Sequence, residues 1–372
     1  MKVQVLTEHL QGKLPFINHA ISQKSQLPVL LHLLLEAKNN TLTISSTDLE
    51  IGIRTHIRAT VEEEGEVTVP AKMFSELILA LQQGKIALQT VDNGLTITSQ
   101  SSKTTLQTGD ANEFPKLYQE QGKKLLSLTR AYFEQDFPKI VFAASVDTGR
   151  PALSGIFLTR EASDLIAVGT DGYRLSLKRY NGPKTKDIAE PDLSIPLLIP
   201  ARVIREQIAV KEDEETVVVY VSSESNQIIF EQGGTTIVGR LIDASFPAYG
   251  KIIPTSFTTS AQFDREELQK AVRICSIFAR ETANIIKFTL QKDKIIVSAN
   301  APSVGENSVE VEATITGEES EIAFNARYLL DLLSHISDKT LLFEMTGPLN
   351  PGVFKIKGDN SFLHLIMPIR VQ

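Results

Sequence analysis

The sequence predicts an α+β protein made of three repeats of one plan, each with two helices packed on a mainly antiparallel sheet. Three observations carry that expectation. One helical segment recurs three times along the 372 residues, a second helical segment precedes each copy, and the stretches between them alternate apolar and polar residues around Asn-Gly, Asp-Gly and Gly-Gly turns.

In chain order, the first helix of each repeat comes from LQGKLPFINHAIS, FEQDFPKIVFAAS and LQKAVRICSIFAR. These place Leu10, Phe133 and Leu268 in register, with Leu14, Phe137 and Val272 four residues on. Pro15 and Pro138 are expected to kink two of them, because proline removes a helical N–H and crowds the preceding turn. Strands follow in TLTISSTDLEIGIRTHIRATV, LIAVGTDGYRLSLKRY, TVVVYVSSESNQIIFEQGGTTIVGRLI and IIVSANAPSVGENSVEVEATI, with turns at Asn93-Gly94, Asp171-Gly172 and Gly233-Gly234.

The second helix comes from VTVPAKMFSELILAL, PLLIPARVIREQIAV and IAFNARYLLDLLSHI, aligned on Ala71, Ala201 and Ala326 at spacings of 130 and 125 residues. Met73, Phe74, Leu77, Ile78 and Leu81 form the apolar stripe of the first copy, and Tyr328, Leu329, Leu332, Leu333 and Ile336 that of the third. The middle copy has Gln207 and Lys211 in that stripe, so a shorter helix is expected there. Phe114-Pro115 and Phe246-Pro247 mark repeat ends, which gives repeats of 1–120, 121–253 and 254–372.

Composition narrows the class. Hydrophobic residues are 42% and charged residues 22%, as in a fully folded globular chain, and Cys275 is the only cysteine, so neither an intrachain disulfide nor a cysteine zinc site is available. The longest apolar run, 27–37, is short of the ~20 residues of a membrane span and contains His32, and no signal peptide is visible; a cytoplasmic protein is expected. A net charge of -7 argues against a dedicated phosphate binder but does not say where the charges sit. Nucleotide-binding glycine loops and HExxH are absent, and the six histidines have no metal-ligand spacing, so neither catalysis nor a cofactor or metal is indicated.

Two sets of basic residues repeat. Lys72, Arg202 and Arg327 each follow the shared alanine, and Glu76, Glu206 and Asp331 stand four residues further on. They read either as surface i,i+4 pairs worth a few tenths of a kcal/mol or as exposed helix faces lining a channel for a polyanion. Lys24, Arg150 and Arg280 sit in loops after the first helices, either as solvated charges or within reach of a phosphate backbone. Asp171 reads as a catalytic aspartate or as a turn former, and the match of Thr170-Asp171 to Thr47-Asp48 favours the turn.

The repeat plan together with GTDGYRL at 169–175, ASFPAY at 244–249, FNARYLLDLL at 324–333 and LIMPIR at 365–370 resembles the bacterial DNA sliding clamp family, the beta subunits of replicative DNA polymerase III. The resemblance covers the whole chain. It implies a head-to-tail homodimer whose six repeats close a ring, helices inward, around double-stranded DNA without reading its sequence. Lys24, Lys72, Arg150, Arg202, Arg280 and Arg327 would then face DNA.

The resemblance also implies a cleft for short peptides of the polymerase, the clamp loader and repair proteins. Its walls would be Leu153, Thr170, Gly172, Tyr173, Arg174, Leu175, Pro247 and Ile252, facing Leu365, Met367, Pro368, Ile369 and Arg370, with Asn325 and Tyr328 at the edge. Tyr173 stands where other members often have His, which narrows one wall. For the ring interface it points to Lys103 and Leu106 against Ile277, Phe278 and Glu306. A peptide-binding scaffold unrelated to DNA, and a repeat-built hydrolase using Asp171, are the competing readings.

Overall fold

The computed structural model describes residues 1–22, 25–147, 149–162, 164–180, 196–303 and 305–370. Its helices are α1 (Thr7–Ile17), α2 (Ala71–Ala80), α3 (Pro138–Val141), α4 (Ala201–Ala209), α5 (Arg265–Ala279) and α6 (Ala326–His335). Odd-numbered helices are the first of each repeat and even-numbered ones the second. The aligned positions behave identically: Leu10, Leu14, Phe133, Phe137, Leu268 and Val272 are all at most 2% exposed.

The two prolines act differently. Pro15 lies in the last turn of α1, which runs on to Ile17. Pro138 instead splits the second copy into a wide turn at Tyr132–Asp136 and the single turn of α3. By contrast, α5 runs 15 residues without a proline, capped by Asp264, whose carboxylate accepts from the N–H groups of Glu266 and Glu267 at 2.9 and 3.2 Å.

One expected stripe is rotated. On α2 the buried residues are Ala71, Phe74, Ser75 and Ile78, and Met73 is 55% exposed. Met73 lies roughly 200° round the helix from Ala71 at ~100° per residue, so once Ala71 and Ser75 face the sheet Met73 must face away. On α6 the stripe holds, with Leu329, Leu332, Leu333 and Ile336 buried.

The described residues divide into two compact units, one of 1–133 and 202–241, the other of 134–180, 196–201 and 242–370. The second repeat contributes to both, because sheets run on across repeat junctions. In the first unit, Ile51–Arg58 pairs antiparallel with Thr235–Arg240, placing Gly239 opposite Ile51 and joining repeat 1 to repeat 2 in an eight-stranded sheet. A second sheet of that unit, five strands, ends on Lys103–Gln107. In the second unit, Arg174–Tyr180 pairs with Asp359–Ile366, placing Arg174 opposite Ile366 in a twelve-stranded sheet. At each junction the joining strand is the one that follows a Thr-Asp turn.

The largest core of the second unit packs α5 and α6 over Phe288, Phe324, Phe343 and Phe354, whose ring centroids lie 4.9 to 6.3 Å apart, mostly edge to face. Gly352 makes that packing possible: a Cβ there would come within 2.5 Å of Phe324 and 2.6 Å of Phe343. Gly352 also pairs with Ile366 at the junction strand. Gly352→Ala is expected to destabilise the second unit by about 1–3 kcal/mol through overpacking, read as an earlier urea midpoint with an unchanged slope.

Candidate functional site

The turn at 170–174 is built by its own side chains. The Thr170 hydroxyl donates to the Arg174 carbonyl at 2.6 Å and accepts from the Gly172 N–H, while one Asp171 carboxylate oxygen accepts from the N–H groups of Tyr173 and Arg174 at 2.9 and 3.0 Å. Gly172 takes φ +93, the left-handed region that costs glycine least. Thr47 and Asp48 build the same turn in repeat 1, with Leu49 carrying the positive φ. The other Asp171 oxygen accepts from Arg174 Nε at 3.0 Å, so both oxygens are engaged and the carboxylate is a turn former.

Arg174, expected in a cleft wall, has its donors committed within the protein. Its Nη1 donates to Asp331 at 2.5 Å and its Nη2 to the Phe142 carbonyl at 2.9 Å, and the group is only 9% exposed. The guanidinium lies 4.7 Å from the Tyr328 ring centroid and 5.3 Å from that of Phe142. Burial raises the Tyr328 hydroxyl above its ordinary pKa. Tyr173, 56% exposed, stacks on Tyr328 at 6.4 Å.

The C-terminal segment lies against this turn. The Met367 N–H donates to the Tyr173 carbonyl and the Ile369 N–H to that of Ala323, both at 2.8 Å. Met367 and Arg370 are exposed, and Pro368 and Ile369 half-buried. Leu175 and Leu365, expected as walls, are at most 1% exposed: they face each other across the junction ladder and form a core with Ile166, Val168, Leu177 and Val353. Pairing antiparallel strands turns both side chains inward, so they support the surface from beneath.

Thr170 is likewise buried in its turn. Half-buried Leu153 and exposed Arg150 both stand beside Gly172: a Cβ there would lie 3.8 Å from Leu153 and 3.6 Å from Arg150. Pro247 and Ile252 are exposed, while their neighbours Phe246 and Ile253 pack on the same core as Leu175 and Leu365. Asn325 is half-buried, and its side chain caps α6 by accepting from the Arg327 N–H. The turn, the C-terminal segment and the 246–253 stretch thus share one apolar support.

Three family models match in succession: the N-terminal domain of the DNA polymerase III beta subunit over residues 1–118, its central domain over 127–248 and its C-terminal domain over 250–370. The chain belongs to the DNA polymerase III beta subunit family. The beta sliding clamp of Chlamydia muridarum is 29% identical over 373 residues, covering all of both chains, and that of Synechocystis is 29% identical over 391 residues with the same coverage. The crystal structure of the DNA polymerase sliding clamp from Bacillus subtilis aligns with a TM-score of 0.93 at 25% identity, and that of the beta subunit from Thermotoga maritima with 0.89 at 26%, each over the full length of both chains.

In this beta-family chain the repeated cations divide. Lys72, Arg280 and Arg327 are exposed. Arg202 is latched to Asp48 at 2.5 Å and to the His19 carbonyl at 2.8 Å, and Glu206 accepts from or pairs with His19 at 2.7 Å, so neither makes the i,i+4 pair. Lys72 and Arg202 line one cavity of ≈ 1320 Å³ with Asp48, Glu206, His19 and His32, so its charge is partly balanced. Arg150 pairs with Asp147 at 3.1 Å. Lys24 lies outside the described residues.

The interface set falls on two strand edges. Lys103 is exposed and Leu106 half-buried on Lys103–Gln107, the last strand of its sheet. Glu306 is exposed on Gly305–Gly317, a strand whose 305–312 half is paired only on one side among the described residues. On the adjacent α5, Ile277 is 60% exposed, whereas Phe278, expected at the interface, packs against the core.

Sequence reasoning missed the layer beneath the surface. Phe142 stacks on His335 at 4.6 Å and on His364 at 5.2 Å, and Ser176 hydrogen-bonds His364 Nδ1 at 2.7 Å. Desolvation, reinforced by the neighbouring Arg174 and His335, holds the fully buried His364 well below the ordinary 6.5 and keeps it neutral. Because the folded-state value lies below the unfolded one, the unfolded chain takes up the proton first on acidification. Stability is therefore full above about pH 6.5 and falls below it, by up to ~1.4 kcal/mol per pH unit for one proton. His364→Asn, which keeps an acceptor for Ser176 but cannot titrate, is expected to reduce the stability difference between pH 7.5 and pH 5.5 in urea titrations.

Proposed function

We propose that the protein is a DNA polymerase processivity clamp: two copies, each of repeats 1–120, 121–253 and 254–372, close head to tail into a ring around double-stranded DNA and tether the polymerase to it. The observation that carries this reading is that two of the open strand edges, Lys103–Gln107 in repeat 1 and 305–312 in repeat 3, carry complementary charge, Lys103 on one and Glu306 and Glu310 on the other. Unpaired backbone groups on an edge invite another strand. A head-to-tail dimer joins the first edge of one copy to the second edge of the other and leaves neither open. Lys103 then meets an edge carrying Glu306 and Glu310, and Ile277 lies beside the seam.

The ring holds DNA by enclosure, so its phosphate contacts stay weak and screened. Lys72, Arg280 and Arg327, with Lys24, Arg150 and Arg202, are the candidate cations; Arg202 contributes least because Asp48 neutralises it. The protein performs no catalysis, needs no cofactor and works in the cytoplasm. On nicked circular DNA, loaded protein is expected to be retained as a dimer and to slide off after linearisation. A monomer that never stays on circles overturns the ring.

Polymerase, clamp loader and repair proteins dock short peptides on the surface formed by Tyr173, Tyr328 and Met367 over the Leu175–Leu365 core. Flexible Met and flat Tyr rings accept varied apolar side chains. Met367→Ala is expected to weaken a Leu- and Phe-containing peptide about tenfold while leaving the dimer intact, measured by calorimetric titration. Unchanged affinity removes the docking assignment and leaves the ring.

A further inference from the structure

Arg174 is held by three acceptors, and they come from different parts of the second unit. Asp171 and the Phe142 carbonyl belong to repeat 2, whereas Asp331 belongs to α6. Of the three, Asp331 alone ties the guanidinium to the helix that carries Tyr328. Asp331 follows Tyr328 by three residues, so both side chains leave α6 on the same side. The Asp331 side chain is 46% exposed and that of Arg174 only 10%, so the acid can be changed without opening a buried hole.

We propose that Asp331 is a positioning residue of the docking surface: it does not touch the guest peptide, but it draws Arg174 against the Tyr328 ring and so fixes that ring, with Tyr173 stacked on it, in the posture that receives an apolar side chain. The inference rests on the docking reading above. Without the carboxylate, Arg174 keeps Asp171 and the Phe142 carbonyl, so the turn stays formed. The guanidinium then loses its hold on α6, and Tyr328 loses the cation over its face.

The test measures binding of a synthetic peptide carrying Leu and Phe to the full-length dimer, together with melting temperature. Asp331→Asn is expected to weaken the peptide about fivefold, with melting shifted no more than in a surface variant. In a Tyr328→Leu background the same change is expected to have no effect, because the ring it positions is gone. Asp338→Asn is the structural control: Asp338 pairs with Lys139 at 3.6 Å between α3 and the segment after α6, and its loss is expected to leave affinity intact. If Asp338→Asn weakens binding as much as Asp331→Asn, or the Asp331→Asn loss persists without Tyr328, the effect is general loosening and the inference is overturned. If Asp331→Asn has no effect while Met367→Ala weakens binding, positioning fails and docking stands; if neither variant weakens binding, the docking reading itself fails.

Discussion

A β-strand edge left unpaired is a row of unsatisfied donors and acceptors, and the three-repeat chain is organised around closing such edges. Each Thr-Asp turn launches a strand, Ile51–Arg58 or Arg174–Tyr180, whose far side would be open within its own repeat. The last strand of the following repeat fills it. Backbone pairing of this kind is indifferent to side-chain identity, which explains how a fold can persist at 25% identity with a TM-score of 0.93. Among the edges that stay open in the described residues are Lys103–Gln107 and 305–312, the two that the proposed ring would close.

A buried cation imposes the next constraint. Arg174 sits beneath the surface, and a guanidinium there is tolerable only with its donors satisfied. Asp171, Asp331 and the Phe142 carbonyl do this, and in doing so pull the turn, α6 and the end of α3 onto one point. The rings of Tyr328 and Phe142 then cover its faces. The exposed Tyr173 ring, stacked on half-buried Tyr328, therefore stands on an electrostatic footing.

Much of this was legible in the sequence. Period-two patterns located many of the strands and helical patterns located all six helices, the one before Ala201 cut to a single turn at Pro138, and the shared alanines, all buried, marked the start of the second helix in each repeat. The rotated face of α2 was not legible, since Ala71 and Ser75 carry little hydrophobic signal although both are buried. At the proposed docking surface, the turn and the C-terminal segment could be named from their motifs, but inward and outward residues could not be separated there. Leu175 and Leu365 look like wall residues in sequence and become core because an antiparallel register turns them toward each other. Arg174 and Asp331 are 157 positions apart, and no local pattern announces such a pair.

The two junctions use the same latch with its charges exchanged. At the first, the turn supplies the acid, Asp48, and the helix supplies the cation, Arg202; at the second, the turn supplies the cation, Arg174, and the helix supplies the acid, Asp331. A chain with three near-copies of one unit risks joining the wrong ones while it folds. Arg202 stands one residue after its shared alanine and Asp331 five after its own, so the two ion pairs grip their helices at different turns. Each junction is thus marked by an ion pair of its own sense and its own place on the helix, a difference that the near-identical backbone plan of the repeats does not supply.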